Sequence, residues 1–234
     1  MRERISGLIK ALIFDFDGLI LDTESPEFIS FQEMFAEFGL EFPLSEWASN
    51  IGKGATETGP SAYEILQSRV RVPFDLESVR ARRRAKNTSL VLANEVLPGV
   101  CDYLIAAQKL GLKLGVASSS GSEWVEGHLK RLGLHGYFSA IRCADHVSKA
   151  KPDPELYLAV LVALKVEAKE AVAFEDSRNG TKAARAAGIF TVVVPNPITR
   201  HSDLTEANLR LVSLSEISLA SLMEKIEKQQ LSQT

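Results

Sequence analysis

The segment Leu12–Glu24 reads LIFDFDGLILDTE. It opens as an apolar run of strand character and ends in two acids, Asp15 and Asp17, one residue apart and followed at once by Gly18. A buried carboxylate without a partner costs several kcal/mol, so acids at the end of such a run need either compensation or a chemical task. The rest of the chain offers both.

Downstream of Val96, short β-rich runs alternate with helical patterns. The strands are LKLGVAS (112–118), YFSAIRCA (137–144), AVAFED (171–176), IFTVVVP (189–195) and LRLVSL (209–214). Between and around them, VCDYLIAAQKLG, EWVEGHLKRLG, PELYLAVLVALK and NGTKAARAAG carry the 3.6-residue period, and three of these stop at a glycine, as helix C-termini often do. Strand then helix, repeated, predicts a Rossmann-like parallel α/β sheet with helices on both faces, and KALIFD (10–15) belongs to it. From residue 22 to 94 the β-rich runs disappear, leaving SPEFISFQEMFAEFGL, GPSAYEILQSRV and FDLESVRARRRAKNTSLVLAN. This predicts a core of residues 1–21 and 95–234 carrying a small all-helical cap, 22–94, with hinges near Leu21–Glu24 and Asn94–Pro98.

At 234 residues and 45% hydrophobic, the chain can bury an ordinary core. Its net charge of −3 argues against nucleic acid or a membrane surface as partner. No segment approaches the ~20 apolar residues of a membrane span, and Lys10 interrupts the only N-terminal run resembling a signal peptide, so a cytoplasmic protein is expected. The basic run RARRRAK (80–86) reads as a solvated helix face, on which at most two cations share one pocket. Cys101 and Cys143 have no metal-ligand spacing and read as reduced core thiols.

In an open parallel sheet, ligands bind outside the carboxyl ends of the strands. Those ends carry Asp15-Phe16-Asp17-Gly18 on the first strand, Ser118-Ser119-Ser120-Gly121 on the second and Glu175-Asp176-Ser177 on the fourth. Lys151, in KAKPDPE, precedes a helix expected to start with Asp153 as N-cap and Pro154 at its first position. Taken singly, each group suits an ordinary strand end, cap or turn; their joint occurrence at one sheet edge is the signal. Two unit charges about 4 Å apart interact by roughly 4 kcal/mol at an effective dielectric near 20, so Asp15, Asp17, Glu175 and Asp176 call for a divalent cation. Hard oxygen ligands suit Mg²⁺, which is commonly shared with a substrate phosphate. The Ser118 hydroxyl, the amides that follow it from Ser119 onward and the Lys151 ammonium would hold that phosphate, leaving an aspartate to attack phosphorus.

DFDGLILDTE, VASSS, KAKPDPELY and AFEDSRNG together resemble the four motifs of the haloacid dehalogenase-like superfamily, over nearly the whole chain. The helical insert after the first motif is similar to the cap of the phosphoglycolate phosphatase and β-phosphoglucomutase subgroup. The resemblance implies Asp15 as nucleophile, Asp17 as general acid and base with its backbone carbonyl on the metal, and Asp15 and Asp176 as metal ligands supported by Glu175. It also implies Ser118 and Lys151 on the phosphoryl oxygens and Thr23 at the hinge. β-Phosphoglucomutase relatives carry a histidine after the first motif and a cap arginine for a second phosphate; this chain has Glu27 near the first position and Lys53 as the only cation of IGKGATETG. The expected activity is Mg²⁺-dependent hydrolysis of a small phosphorylated metabolite, with a sugar phosphate as the candidate, and with a phosphosugar mutase and a non-catalytic phosphate-ligand sensor as the alternatives.

Overall fold

The computed structural model describes residues 8–48 and 60–231; Lys53 lies outside the described residues. Six strands, β1 (Ala11–Phe14), β2 (Lys113–Ala117), β3 (Ala140–Arg142), β4 (Ala171–Glu175), β5 (Phe190–Val193) and β6 (Leu209–Arg210), form one sheet in the order β3-β2-β1-β4-β5-β6. Every neighbouring pair is parallel. β1 is central, with Ile13 level with Gly115 on one side and Ala173 on the other. The chain builds outward from β1 through β2 to β3, then returns to lay β4 on the opposite side of β1. The strand order therefore reverses between β1 and β4, which is where a crevice opens at the carboxyl ends.

The central strands are apolar throughout because helices cover both faces. Leu12, Phe14, Val116, Val172 and Phe174 point to one face, where they meet α5 (Val100–Leu110), α6 (Ser122–Arg131) and α9 (Leu219–Leu231). Ala11, Ile13, Ala171 and Ala173 point to the other and pack on α7 (Glu155–Leu164) and α8 (Arg178–Ala186). Phe14 stacks on Phe174 with ring centroids 4.9 Å apart, a pairing across β1 and β4 worth about 0.5–1.5 kcal/mol beyond burial. The crevice edge thus rests on a rigid base.

Among the described residues, four helices, α1 (Glu24–Ala36), α2 (Leu44–Ala48), α3 (Ala62–Arg69) and α4 (Leu76–Ala93), occupy the segment read as helical. They share an apolar cluster of their own, including Phe31, Phe35, Phe42, Leu66 and Val79. α3 starts with a capping box in which Glu64 N–H donates to Ser61 Oγ at 3.2 Å and Ser61 N–H donates to the Glu64 carboxylate at 2.6 Å. The two segments joining these helices to the sheet run side by side: Leu97 N–H donates to Ile20 O at 2.9 Å, and the Asn94 amide donates to Asp22 O at 2.7 Å.

Three expectations need correction. Cys101 is exposed, because α5 turns Val100, Tyr103, Leu104 and Ala107 inward and leaves it on the other side; Cys143 is buried as read, and both thiols are free. The basic run is not uniformly solvated, since the Arg83 side chain is only 10% exposed. α7 begins at Glu155 with Pro154 in the capping position, although Asp153 still accepts from Glu155 N–H at 3.0 Å.

Candidate active site

The loops at the carboxyl ends of β1, β2 and β4 meet α1, α4 and α8 around a cleft of about 480 Å³. Of the residues singled out in the sequence, Asp15, Asp17, Thr23, Glu27, Ser119, Lys151 and Asp176 line it. Ser118 and Glu175 lie directly behind, fully buried.

Carboxylate oxygens of Asp15, Glu175 and Asp176 lie within 4.8 Å of one another, all buried. Lys151 is the one ammonium among them. It bonds to Asp15 and, at 2.6 Å, to Glu175. Glu175 is already saturated: it also accepts from Tyr157 OH at 2.7 Å, Ser177 Oγ at 3.1 Å and the Asp176 backbone N–H at 3.2 Å. Gly180 makes this possible, because a Cβ there would sit 2.0 Å from the Glu175 carboxylate. Among the described residues, Asp176 accepts from Asn196 alone, at 2.8 Å. Gly18, at φ +77°, folds the β1 loop over it so closely that a Cβ would come within 2.5 Å of Asp176 Oδ2.

The electrostatics follow from this crowding. Burial, reinforced by Glu175 and Asp17, raises the Asp15 carboxyl well above the carboxylate range against the pull of Lys151. Burial, Asp15 and Glu175 do the same to Asp176. Burial alone would lower Lys151, but Asp15 and Glu175 carry it above its ordinary value, so it stays charged. Three buried carboxylates around one ammonium leave excess negative charge, and a hard divalent cation between Asp15 and Asp176 fits that donor set.

Asp17 stands apart from this trio. Its Oδ2 accepts from Ser120 Oγ at 2.7 Å and Ser118 Oγ at 3.2 Å, and its Oδ1 from Trp124 Nε1 at 3.0 Å. Phe16, between the two acids, is fully buried in the sheet core. The sequence alone suggests no role for the Ser120 hydroxyl, Trp124, Tyr157 or Asn196. Asn196 had a signal, since it follows β5 at the same edge of the sheet. Trp124 read as one more apolar position of a periodic helix.

Glu24 also lines the cleft. Burial, with Glu27, Asp17 and Asp22 adding to it, pushes its carboxyl from an ordinary 4.5 up to about 8. A carboxyl whose folded pKa is raised takes up protons on folding, so its stabilising contribution is complete below about 4.5 and is lost as pH rises through about 8. Glu24→Gln in the metal-free protein should therefore raise stability at pH 8 by on the order of 2 kcal/mol and leave it unchanged at pH 4, as read by urea unfolding. Equal gains at both pH values would contradict this assignment.

A family model for haloacid dehalogenase-like hydrolases matches residues 12–194. The chain is similar to YhcW of Bacillus subtilis, named as a candidate phosphatase, with 44% identity over 95% of this chain and 100% of that protein. It is also similar to the fructose-1-phosphate phosphatase YqaB of Escherichia coli, with 31% identity over 83% of this chain and 98% of that one. Among solved structures, a β-phosphoglucomutase from Clostridium difficile superposes with a TM-score of 0.73 at 25% identity, covering 96% of this chain and 100% of the other. Together with the buried acids and lysine at the reversal of strand order, these likenesses identify the chain as a member of the haloacid dehalogenase-like hydrolase family and as a phosphoric monoester hydrolase.

Proposed function

We propose that this hydrolase is a Mg²⁺-dependent phosphatase of small phosphorylated sugars or polyols, working through an aspartyl-phosphate on Asp15, with residues 22–94 as the cap over the cleft. The observation that carries this reading is the buried trio Asp15, Glu175 and Asp176 around a single ammonium. Asp15, Asp176 and the Asp17 backbone carbonyl would hold the cation, with Glu175 supporting them. The metal supplies positive charge that cancels repulsion between the carboxylates and the phosphoryl oxygens.

The protein's own groups divide the remaining work. The Asp15 carboxylate attacks phosphorus in line, forming its P–O bond as the bond to the leaving oxygen breaks. Asp17 gives that oxygen a proton. In the second half, Asp17 removes a proton from water as the water attacks phosphorus, and Asp15 leaves as a carboxylate. Lys151 keeps its charge beside the transferring group and steadies the negative oxygens. Ser118 and Ser119 hold phosphoryl oxygens. A phosphoryl group that engages Ser118 takes one hydroxyl from Asp17, leaving Ser120 and Trp124 to orient the acid.

Hydrolysis is the expected net outcome. Incubation with Mg²⁺ and a panel of hexose and hexitol monophosphates should release inorganic phosphate. Accumulation of hexose 6-phosphate from hexose 1-phosphate, with little free phosphate, would overturn hydrolysis in favour of a mutase. Failure to turn over any ester, p-nitrophenyl phosphate included, would leave a phosphate sensor.

A further inference from the structure

The cleft wall opposite the acids carries a group that the phosphoryl chemistry does not use. Arg83 and Asn87 lie one turn apart on α4, on one face, and α1 brings Glu27 and Ser30 against Arg83. Arg83 is mostly covered, with its guanidinium 4.3 Å from the centre of the Phe31 ring; its Nη1 donates to Ser30 Oγ at 3.3 Å and lies 3.7 Å from Glu27 Oε1. Its Nε is buried without a hydrogen-bond partner, and so is the amide oxygen of Asn87, which lines the cleft beside Glu24 and Glu27. Buried polar atoms are almost always paired, so the unpaired amide oxygen of Asn87 on the cleft wall points to a ligand.

We propose that Glu27 and Asn87, with Arg83 seated behind Glu27, form a subsite that reads the hydroxyl groups of a neutral, polyhydroxylated leaving group and turns away a second anion. The proposal rests on the phosphatase reading above. A polyol offers several hydroxyls, so one can donate to the Asn87 amide oxygen while its neighbour donates to the Glu27 carboxylate. A second phosphate or a carboxylate fits less well. The charge of Arg83 is already countered by Glu27, and Glu24 stands beside it on the same cleft wall. Among the described residues lining the cleft, the cations are Lys151, bound to Asp15 and Glu175, and Arg178, at the start of α8.

The test compares kcat/KM for a hexitol monophosphate, a hexose bisphosphate and p-nitrophenyl phosphate, whose aromatic leaving group has no hydroxyl, in the wild type, Asn87→Leu and Glu27→Gln. Asn87→Leu should lower the hexitol phosphate to p-nitrophenyl phosphate ratio about tenfold or more, chiefly through KM, as expected where a site built to bond hydroxyls loses its partner. Glu27→Gln frees Arg83 and should raise the bisphosphate to monophosphate ratio by about tenfold. If Asn87→Leu fails to fold, the Glu27→Gln ratio alone decides. Ratios unchanged in an active wild type and folded variants would overturn the subsite. A wild type inactive on all three esters would instead overturn the phosphatase reading, and the subsite with it.

Discussion

Asp15→Asn is expected to release no inorganic phosphate from any ester the wild type hydrolyses, with an unchanged circular dichroism spectrum. The amide is nearly isosteric with the carboxylate but carries no negative charge and is far too weak a nucleophile to attack phosphorus. The fold should tolerate it. Asp15 is 6% exposed, and its charge lies against those of Glu175, Asp176 and Asp17, so a neutral group removes repulsion rather than support. Lys151 keeps Glu175 as its partner at 2.6 Å. Asp17→Asn should also fail, but for want of proton transfer, with a loss of about 10²–10⁴-fold. A variant Asp15→Asn that keeps more than a small fraction of the wild-type rate would rule out covalent catalysis by this residue.

Excess chelator is the second treatment expected to abolish turnover, and Mg²⁺ in excess of the chelator should restore it. Without a cation, burial and the neighbouring acids disfavour the charged forms of Asp15 and Asp176, and their carboxylates repel a phosphate dianion. The same argument predicts a signature independent of activity. Mg²⁺ should raise the melting temperature of the wild type, because a ligand that binds only the native state stabilises it. Asp176→Asn should lose most of that shift, since Asp176 has one hydrogen-bond partner and is free to coordinate, whereas Glu175 is fully occupied. Full turnover in excess chelator, or an undiminished shift in Asp176→Asn, would contradict the metal assignment.

The strands and the acids at their ends were legible because both obey local rules. Apolar runs of four or five residues bounded by polar turns can only be buried strands here, and a parallel sheet puts its ligands at the carboxyl ends. Asp15, Glu175 and Asp176 therefore stood out from sequence alone, and they converge within 4.8 Å. What escaped depends on helix phase and on contacts between distant segments. Trp124 reaches Asp17 because α6 begins at Ser122, and a start one residue later would turn the indole elsewhere. Tyr157 on α7 and Asn196 after β5 become site residues only when those elements lie beside β4. The same holds for RARRRAK, where a charge run gives no phase; the apolar positions Val79 and Val91 set which way α4 faces, and so bury Arg83 and leave Arg82 at the surface.

The covalent intermediate is the most direct test of the account. The wild-type protein should be mixed briefly with Mg²⁺ and a sugar phosphate radiolabelled in its phosphoryl group, then quenched in acid, in which an acyl phosphate survives. Label should be found on the wild-type protein, should be released by hydroxylamine and should be absent from Asp15→Asn. Phosphate release by the wild type at full rate with no protein-bound label at any quench time, or equal labelling of Asp15→Asn, would contradict it.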